Sequence, residues 1–309
     1  MPDSQRVPVN GNIIGIGYML IAVAAGLITS FIIKSLSPVA TILVILSLRF
    51  VFSVPTLAAA AYVKRGPKLL DINRWDRLIM RVIVGQIGIV FWFLSITHTS
   101  LGQATALFQS SAIFVTILSP LILREKVGVY RGSAVMLGLI GIIMITNPFH
   151  DDLNIGAFYG LCSAIAGAFL VVILRLLGKT EEPVTVALWH NMVGALIYPA
   201  VMLAIGEAFI FGAIIDDQLA LMCFFGLCAT FVQIGFTSAY QHGEAAALAP
   251  VRYLSVPMAA LAGVLIWGEA LSFIEITGMV IVVGSCVFIS YREYKLSRRS
   301  PAKPAEMTA

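Results

Sequence analysis

Two arginines carry the strongest chemical signal in this sequence, because both stand inside apolar runs. Arg49 lies within the run 39–63, about ten residues from either end and so ~15 Å deep at the rise of a helix. A charge at that depth costs a few kcal/mol or more, and residues that bear one face protein or a solvated cavity rather than lipid. Arg252 lies about seven residues into the run 245–267, after Pro250 and beside Tyr253; the missing N–H of the proline loosens the backbone there. A cation and a phenol beside a disturbed helix are suited to a carboxylate or a phosphate. Each arginine also has a structural reading. Arg49 could tie helix-end carbonyls and hydroxyls, and Arg252 could snorkel to the interface. No Asp or Glu is centrally placed in an apolar run to pair with either.

The remaining polar candidates are single residues. His190, between Trp189 and Asn191, is either a proton or polar relay or a packed, hydrogen-bonded ring. Gln86, Gln109 and Gln233 fall near the middle of their runs, where an amide bonds a ligand or a neighbouring helix. Trp92, with Phe91 and Phe93, offers a stacking wall or lipid-facing bulk. No paired acids, no His-x-x-x-His and no Gly-x-Ser-x-Gly occur, so no catalytic residue is expected. No nucleotide-binding loop suggests direct drive by ATP. Cys162, Cys223, Cys228 and Cys286 all sit within apolar runs and read as small core residues rather than staples or ligands. No metal and no cofactor are expected.

The elements that must position these residues are membrane helices. Of the 309 residues, 59% are apolar and 12% charged, against roughly 25% charged in a soluble domain, so lipid must cover most of the surface. A spanning helix needs roughly 20 apolar residues. Ten runs qualify: 13–33, 39–63, 78–97, 103–123, 132–147, 155–174, 183–205, 218–240, 245–267 and 272–291. The breaks at Thr99 to Gly102 and Gly268 to Leu271 hold little beyond turn residues. With the N-terminus inside, sixteen Lys and Arg fall in cytoplasmic segments and only Lys34 outside, which sets the orientation. The basic, Pro- and Ala-rich end from Arg292 is expected to be a disordered cytoplasmic tail.

The chain also repeats itself. Residues 15–34, GIGYMLIAVAAGLITSFIIK, align without gaps to 156–175, GAFYGLCSAIAGAFLVVILR, with six of twenty positions identical. LGQATAL (101–107) matches HGEAAAL (242–248) at the same offset, Glu125 pairs with Glu269, and Gly132 and Gly138 pair with Gly278 and Gly284. These glycines read as packing positions that let helices approach closely. Five helices per unit is odd, so the two units enter the membrane from opposite sides. Around Glu125 stand Arg124 and Lys126; around Glu269 stand Gly268 and Ala270, as an inverted unit sorted by the positive-inside rule requires. Inverted repeats recur in secondary transporters, with the site near the midplane between the halves.

The helix count, the duplicated unit and the segments ATALFQSSAIFVTILSPLILREKVGVYRGSAVMLGLIGIIMI and AAALAPVRYLSVPMAALAGVLIWGEALSFIEITGMVIVVG resemble the EamA-type drug/metabolite transporters of bacteria over residues 12–291. Ala-Pro-x-Arg-Tyr (249–253) and Trp-Gly-Glu (267–269) are similar to the branch that holds carriers for S-adenosylmethionine and riboflavin. After Glu269 relatives often show Pro-Asp, where this chain has Ala270-Leu271-Ser272. The resemblance implies an all-α membrane protein of ten transmembrane helices in two inverted five-helix repeats. Its parts are a cytoplasmic tail (1–11), a first repeat (12–147), a periplasmic linker (148–154), a second repeat (155–291) and a basic tail (292–309). It implies that Arg49 has a counterpart in relatives and that Tyr18 and Tyr159, equivalent in the repeat, line a central cavity. The expected function is secondary transport of a small metabolite across the inner membrane: an amino acid, a flavin or a nucleoside-like compound. A channel or non-transporting membrane protein is the alternative, and an intramembrane enzyme ranks last. The expected partners are that substrate and the lipid bilayer, not nucleic acid. Substrate-binding candidates are Tyr18, Arg49, Trp92, Gln109, Tyr159, Gln233, Arg252 and Tyr253, with His190 as a relay.

Overall fold

The structure is a computed structural model that describes residues 9–122, 129–146, 154–177, 180–242, 248 and 251–299. The described residues form helices and turns, with no strand among them. In order the helices are α1 (Val9–Leu36), α2 (Ile42–Arg65), α3 (Trp75–His98), α4 (Leu101–Gln109), α5 (Ser111–Ile122), α6 (Val129–Thr146), α7 (Ile155–Leu177), α8 (Pro183–Ala204), α9 (Ala208–His242), α10 (Ser255–Trp267) and α11 (Phe273–Arg299). Eight helices are long and apolar enough to cross a membrane, and Gly132–Thr146 and Val251–Trp267 are shorter apolar helices. Large apolar side chains such as Val63, Leu196, Leu265 and Phe273 point outward, the surface expected where lipid replaces water.

Three expectations change. The run 103–123 is two helices, broken at Ser110, whose N–H bonds the carbonyls of Ala106 and Leu107 while α5 starts afresh. α9 is bent at Gln218, which leaves helical geometry at φ −136°, ψ 32°. The basic tail does not begin as coil: α11 runs on to Arg299, and the Arg292 guanidinium sits 4.5 Å from the Tyr130 ring, tying it to the start of α6.

Local chemistry explains the ends. Thr41 accepts the Val44 N–H at the start of α2, and Ser100 accepts the Gln103 N–H at the start of α4, satisfying amides that a helix leaves free. Asn154 accepts the Ala157 N–H to open α7. Ser272 and Glu275 bond each other's backbone N–H at the start of α11, a reciprocal capping box. Gly268 closes α10 in the left-handed region at φ 64°, which side chains disfavour.

Each major contact joins the first part of the chain to the second: α1 packs on α9, α2 on α8, α3 on α7, α4 on α10 and α6 on α11. Close approach depends on selected glycines. A methyl group on Gly278 would lie 2.8 Å from the Gly141 carbonyl oxygen, and one on Gly138 would meet Ile113 and Ser285. Gly132 and Gly284 have nothing within 4 Å of that position, so packing does not explain them as the repeat suggested. Of the cysteines, Cys228 and Cys286 are core residues, Cys162 is half-buried and Cys223 is exposed; all are free.

Gly278→Ala should therefore lower the thermal stability of the purified protein by about 1–3 kcal/mol, the usual cost of overpacking. Gly284→Ala should leave it unchanged within about 0.5 kcal/mol. Equal midpoints for the two variants would show that α6 and α11 do not meet at Gly141 and Gly278.

Candidate functional site

The first polar centre forms where two helices are interrupted. α5 follows the break at Ser110, and α10 follows a turn at Leu254, 144 positions on, the offset that also separates Glu125 from Glu269. Gln109, at the end of α4, is buried. Its amide nitrogen donates to the Ser255 hydroxyl at 2.8 Å and the Arg252 carbonyl at 3.1 Å, and its oxygen accepts from Arg252 Nε at 3.0 Å. Arg252 is half-buried, with its guanidinium 5.8 Å from the Phe236 ring of α9. Tyr253 is buried, in the cluster that Val256, Met279 and Cys286 build. Gln233 is half-buried on α9. Of the expected site residues, the structure thus joins Gln109 directly to Arg252.

Arg49 belongs to a second centre, between α2, α3 and α8. It is buried with its guanidinium 4.5 Å from the Phe50 ring and 6.0 Å from Phe93, and its Nη1 has no hydrogen-bond partner. It stands seven positions from the start of α2 and sixteen from its end, nearer one end than the run 39–63 suggested. Among the described residues its Nη1 bonds no helix-end carbonyl. His190 is buried here too: Gln86 donates to the His190 carbonyl at 2.9 Å and lies 3.4 Å from Nδ1, and Tyr198 donates to Gln86 at 3.0 Å. The Phe50 ring stacks on Tyr198 at 5.3 Å and meets His190 edge-on at 5.5 Å. Ser53 donates to Asn191 at 2.9 Å.

The third centre is at the end of the molecule where α1, α3, α4 and α10 meet. Lys34 Nζ donates to the carbonyls of Thr99 (2.6 Å) and Ile96 (3.2 Å) and pairs with Glu269 at 2.9 Å. The other Glu269 oxygen accepts the Leu101 N–H at 2.9 Å, at the start of α4, where a carboxylate is favoured by the helix dipole. Gln103 bonds Glu275. Lys34, Gln103, Glu269 and Glu275 line an open polar cavity of about 610 Å³ together with His98 and Asn154. The sequence marked Lys34 only as an exception to the charge pattern; its reason is this latch. The repeat partner Glu125 lies outside the described residues.

The aromatic candidates lie apart from one another. Trp92 packs at 4.6 Å on Phe108, the neighbour of Gln109. Tyr18 is exposed on α1 and meets His242 at 5.5 Å. Tyr159 is half-buried, with Phe91 at 6.0 Å and His98 at 5.7 Å. Sequence reasoning missed Arg81, which is buried in α3. It lies inside the apolar run 78–97 and was counted neither among the cytoplasmic cations nor among the buried ones.

A sequence profile described as the EamA-like transporter family matches residues 10–147 and again 154–291. The chain is 28% identical over 250 residues to a riboflavin transporter of Rhizobium johnstonii, covering 81% of this chain and 80% of that protein. It is 27% identical over 214 residues to the pseudopaline exporter CntI of Pseudomonas aeruginosa, covering 69% and 74%. It is 25% identical over 285 residues to an S-adenosylmethionine uptake transporter of Rickettsia felis, covering 92% and 95%.

The latch gives a direct test. Glu269→Gln keeps the acceptor for the Leu101 N–H but loses the charge opposite Lys34. It should lower stability by about 1–3 kcal/mol, between the values for exposed and buried pairs. Gly263→Ala, whose methyl would run into the Glu269 carboxylate, should do the same without removing a charge. Wild-type unfolding midpoints in both would show that Glu269 does not hold this end together.

Proposed function

The chain belongs to the EamA-like transporter family, and on that premise we propose that it carries an acidic small metabolite across the bacterial inner membrane by alternating access. It is a small-metabolite transporter; the substrate's charge, the ten-span inverted topology and the residues that read the substrate are the parts proposed. The observation that carries the reading is the Gln109–Arg252 contact at the two interrupted helices. Where a helix stops inside a membrane protein its free backbone groups need a partner, and transporters place substrate at such breaks between repeats.

In this reading Gln109 holds the Arg252 guanidinium in place until a carboxylate or phosphate takes the amide's position. A guanidinium–anion pair, with charge on both partners, is stronger than the bond from the guanidinium to a neutral amide that it replaces. The Ser255 hydroxyl and the Tyr253 phenol fix the orientation of the bound acid. Trp92 and Phe108 supply a wall on which a flat ring can stack, a feature that suits the flavin named for one relative. Helices α1 to α6 and α7 to α11 are the two repeats, 12–147 and 155–291, with 1–11, 148–154 and 292–309 as flanking segments. The eight long apolar helices and two shorter ones support ten spans. The placement of Lys and Arg supports cytoplasmic termini.

Topology is tested with reporter fusions. Fusions after Asp152 and Asp217 should report the periplasm, and fusions after Lys68 and at the C-terminus the cytoplasm; a periplasmic C-terminus would end the ten-span reading. For the substrate site, Arg252→Gln should cut transport at least tenfold while membrane insertion and unfolding temperature stay near wild type. Free acids should compete for transport better than their amides or methyl esters. Equal inhibition by acid and ester would show that no cation reads the substrate's charge.

A further inference from the structure

Arg81 and Arg49 are 5% and 6% exposed, and neither meets a carboxylate among the described residues. Arg81 Nε and Nη1 and Arg49 Nη1 are buried without a hydrogen-bond partner. Their surroundings are continuous. A methyl group on Gly85 would lie 2.5 Å from Arg81 Nη1 and 3.0 Å from His190 Cε1, so guanidinium and imidazole share the bare face of that glycine. The same His190 ring meets Phe50, over which the Arg49 guanidinium lies. Arg49 feels the charge of Arg81, and His190 feels both. Arg49 and His190 are 141 positions apart, the offset of the opening repeat, on helices α2 and α8 that pack together. The cluster therefore lies where the two halves meet.

Taking one guanidinium out of water costs several kcal/mol, and two of like sign side by side cost more, unless charge of the opposite sign and acceptors for the N–H groups are supplied. Among the described residues the neutral members find acceptors, Gln86 at the His190 carbonyl and Tyr198 at Gln86, while Arg49 Nη1 and Arg81 Nε and Nη1 do not. These arginine donors are the ones left over. We propose that Arg49 and Arg81, with His190 beside them, form a binding site for a compact anion, separate from the Gln109–Arg252 contact. Its occupant is a halide or small oxyanion. It is held by charge-assisted bonds from the free guanidinium N–H groups and comes either from solution as a resident counter-ion or as the acid group of a transported compound. Gly85 is the positioning residue, because any side chain there would displace Arg81 and His190 together.

The test reads binding rather than transport, so it stands or falls apart from the role given to Arg252. Purified protein in lipid nanodiscs is unfolded thermally in sodium gluconate, with chloride, inorganic phosphate or acetate substituted at constant ionic strength. At least one of these anions should raise the midpoint saturably, as a ligand of the folded state must. Arg49→Gln, Arg81→Gln and Gly85→Ala should each raise the half-saturating concentration, the first two at least tenfold. All variants, the double one included, are made in the Arg252→Gln protein and compared with it, so that an acid bound at Arg252 does not enter the readout. Should the single variants fold poorly, the double variant Arg49→Met, Arg81→Met carries the test: it removes both buried charges and should fold with a midpoint indifferent to the anion. A response to chloride or phosphate identifies a resident counter-ion. A response to acetate alone identifies a carboxylate seat for the cargo. A midpoint independent of all three anions in the Arg252→Gln protein overturns the site, and so does the same saturable response when Arg49→Met and Arg81→Met are added to it.

Discussion

A chain surrounded by lipid has no water with which to satisfy its own polar groups, so every hydroxyl, amide and charge inside must find a partner within the protein. Several hydroxyls solve this locally. Thr29 bonds the Ala25 carbonyl at 2.8 Å, Ser47 that of Leu43 at 2.7 Å and Thr116 that of Ala112 at 3.0 Å, each one turn back on its own helix. Such groups cost little and join nothing. The amides cannot close on themselves so completely and reach across: Asn191 to Ser53, Gln86 to His190, Gln109 to Arg252. The arginines, with five donors and no acceptor, are the hardest to accommodate. The interior chemistry of the protein is therefore concentrated where they lie.

That hierarchy explains which features could be read from the sequence. Membrane helices, and the candidacy of Arg49, Arg252, His190 and the glutamines as interior polar residues, follow from composition and depth alone. Which partner each finds does not, because these helices are apolar nearly all round and no periodic stripe tells which face turns inward. Arg81 shows this best. It lies three residues into the run 78–97, and nothing in the sequence tells that the face of α3 it shares with Gly85 turns to His190. The break at Ser110 was illegible for another reason: no proline or glycine marks it, and it shows only through its repeat relation to Leu254 and the amide chemistry beside it. Gly132 and Gly284 err the other way, since repeat-related glycines need not both be contact points.

The segment after Glu269, where the sequence departs from the Pro-Asp of relatives, is accounted for by local geometry. Ser272 is the cap that Glu275 answers, so the start of α11 is fixed without a proline. Gly268, in the left-handed region, turns the chain so that the Glu269 N–H bonds the Gly263 carbonyl and its side chain folds back over α10. One carboxylate thereby touches the end of α1 through Lys34 and the start of α4 through the Leu101 N–H. Loss of the proline has not loosened the junction; it has moved the constraint from a ring to a capping box.

The contacts between the halves differ in what could replace them, and that difference sets how the carrier can move in the proposed cycle. Ser53–Asn191 is buried and Thr56–Thr230 part-buried; breaking the buried pair leaves a polar group without its partner, at a cost of about 1–3 kcal/mol. Lys34–Glu269 borders an open polar cavity, so water can take over both charges as they part. The Gln109–Arg252 bond can be exchanged for one to an acidic substrate at little net cost. Motion should therefore pivot about α2, α8 and α9, where replacement is costly, and open between α4 and α10, where water or cargo substitutes for each bond lost. The Arg49 cluster sits beside that pivot, and an anion held there would stiffen the very packing about which the halves turn.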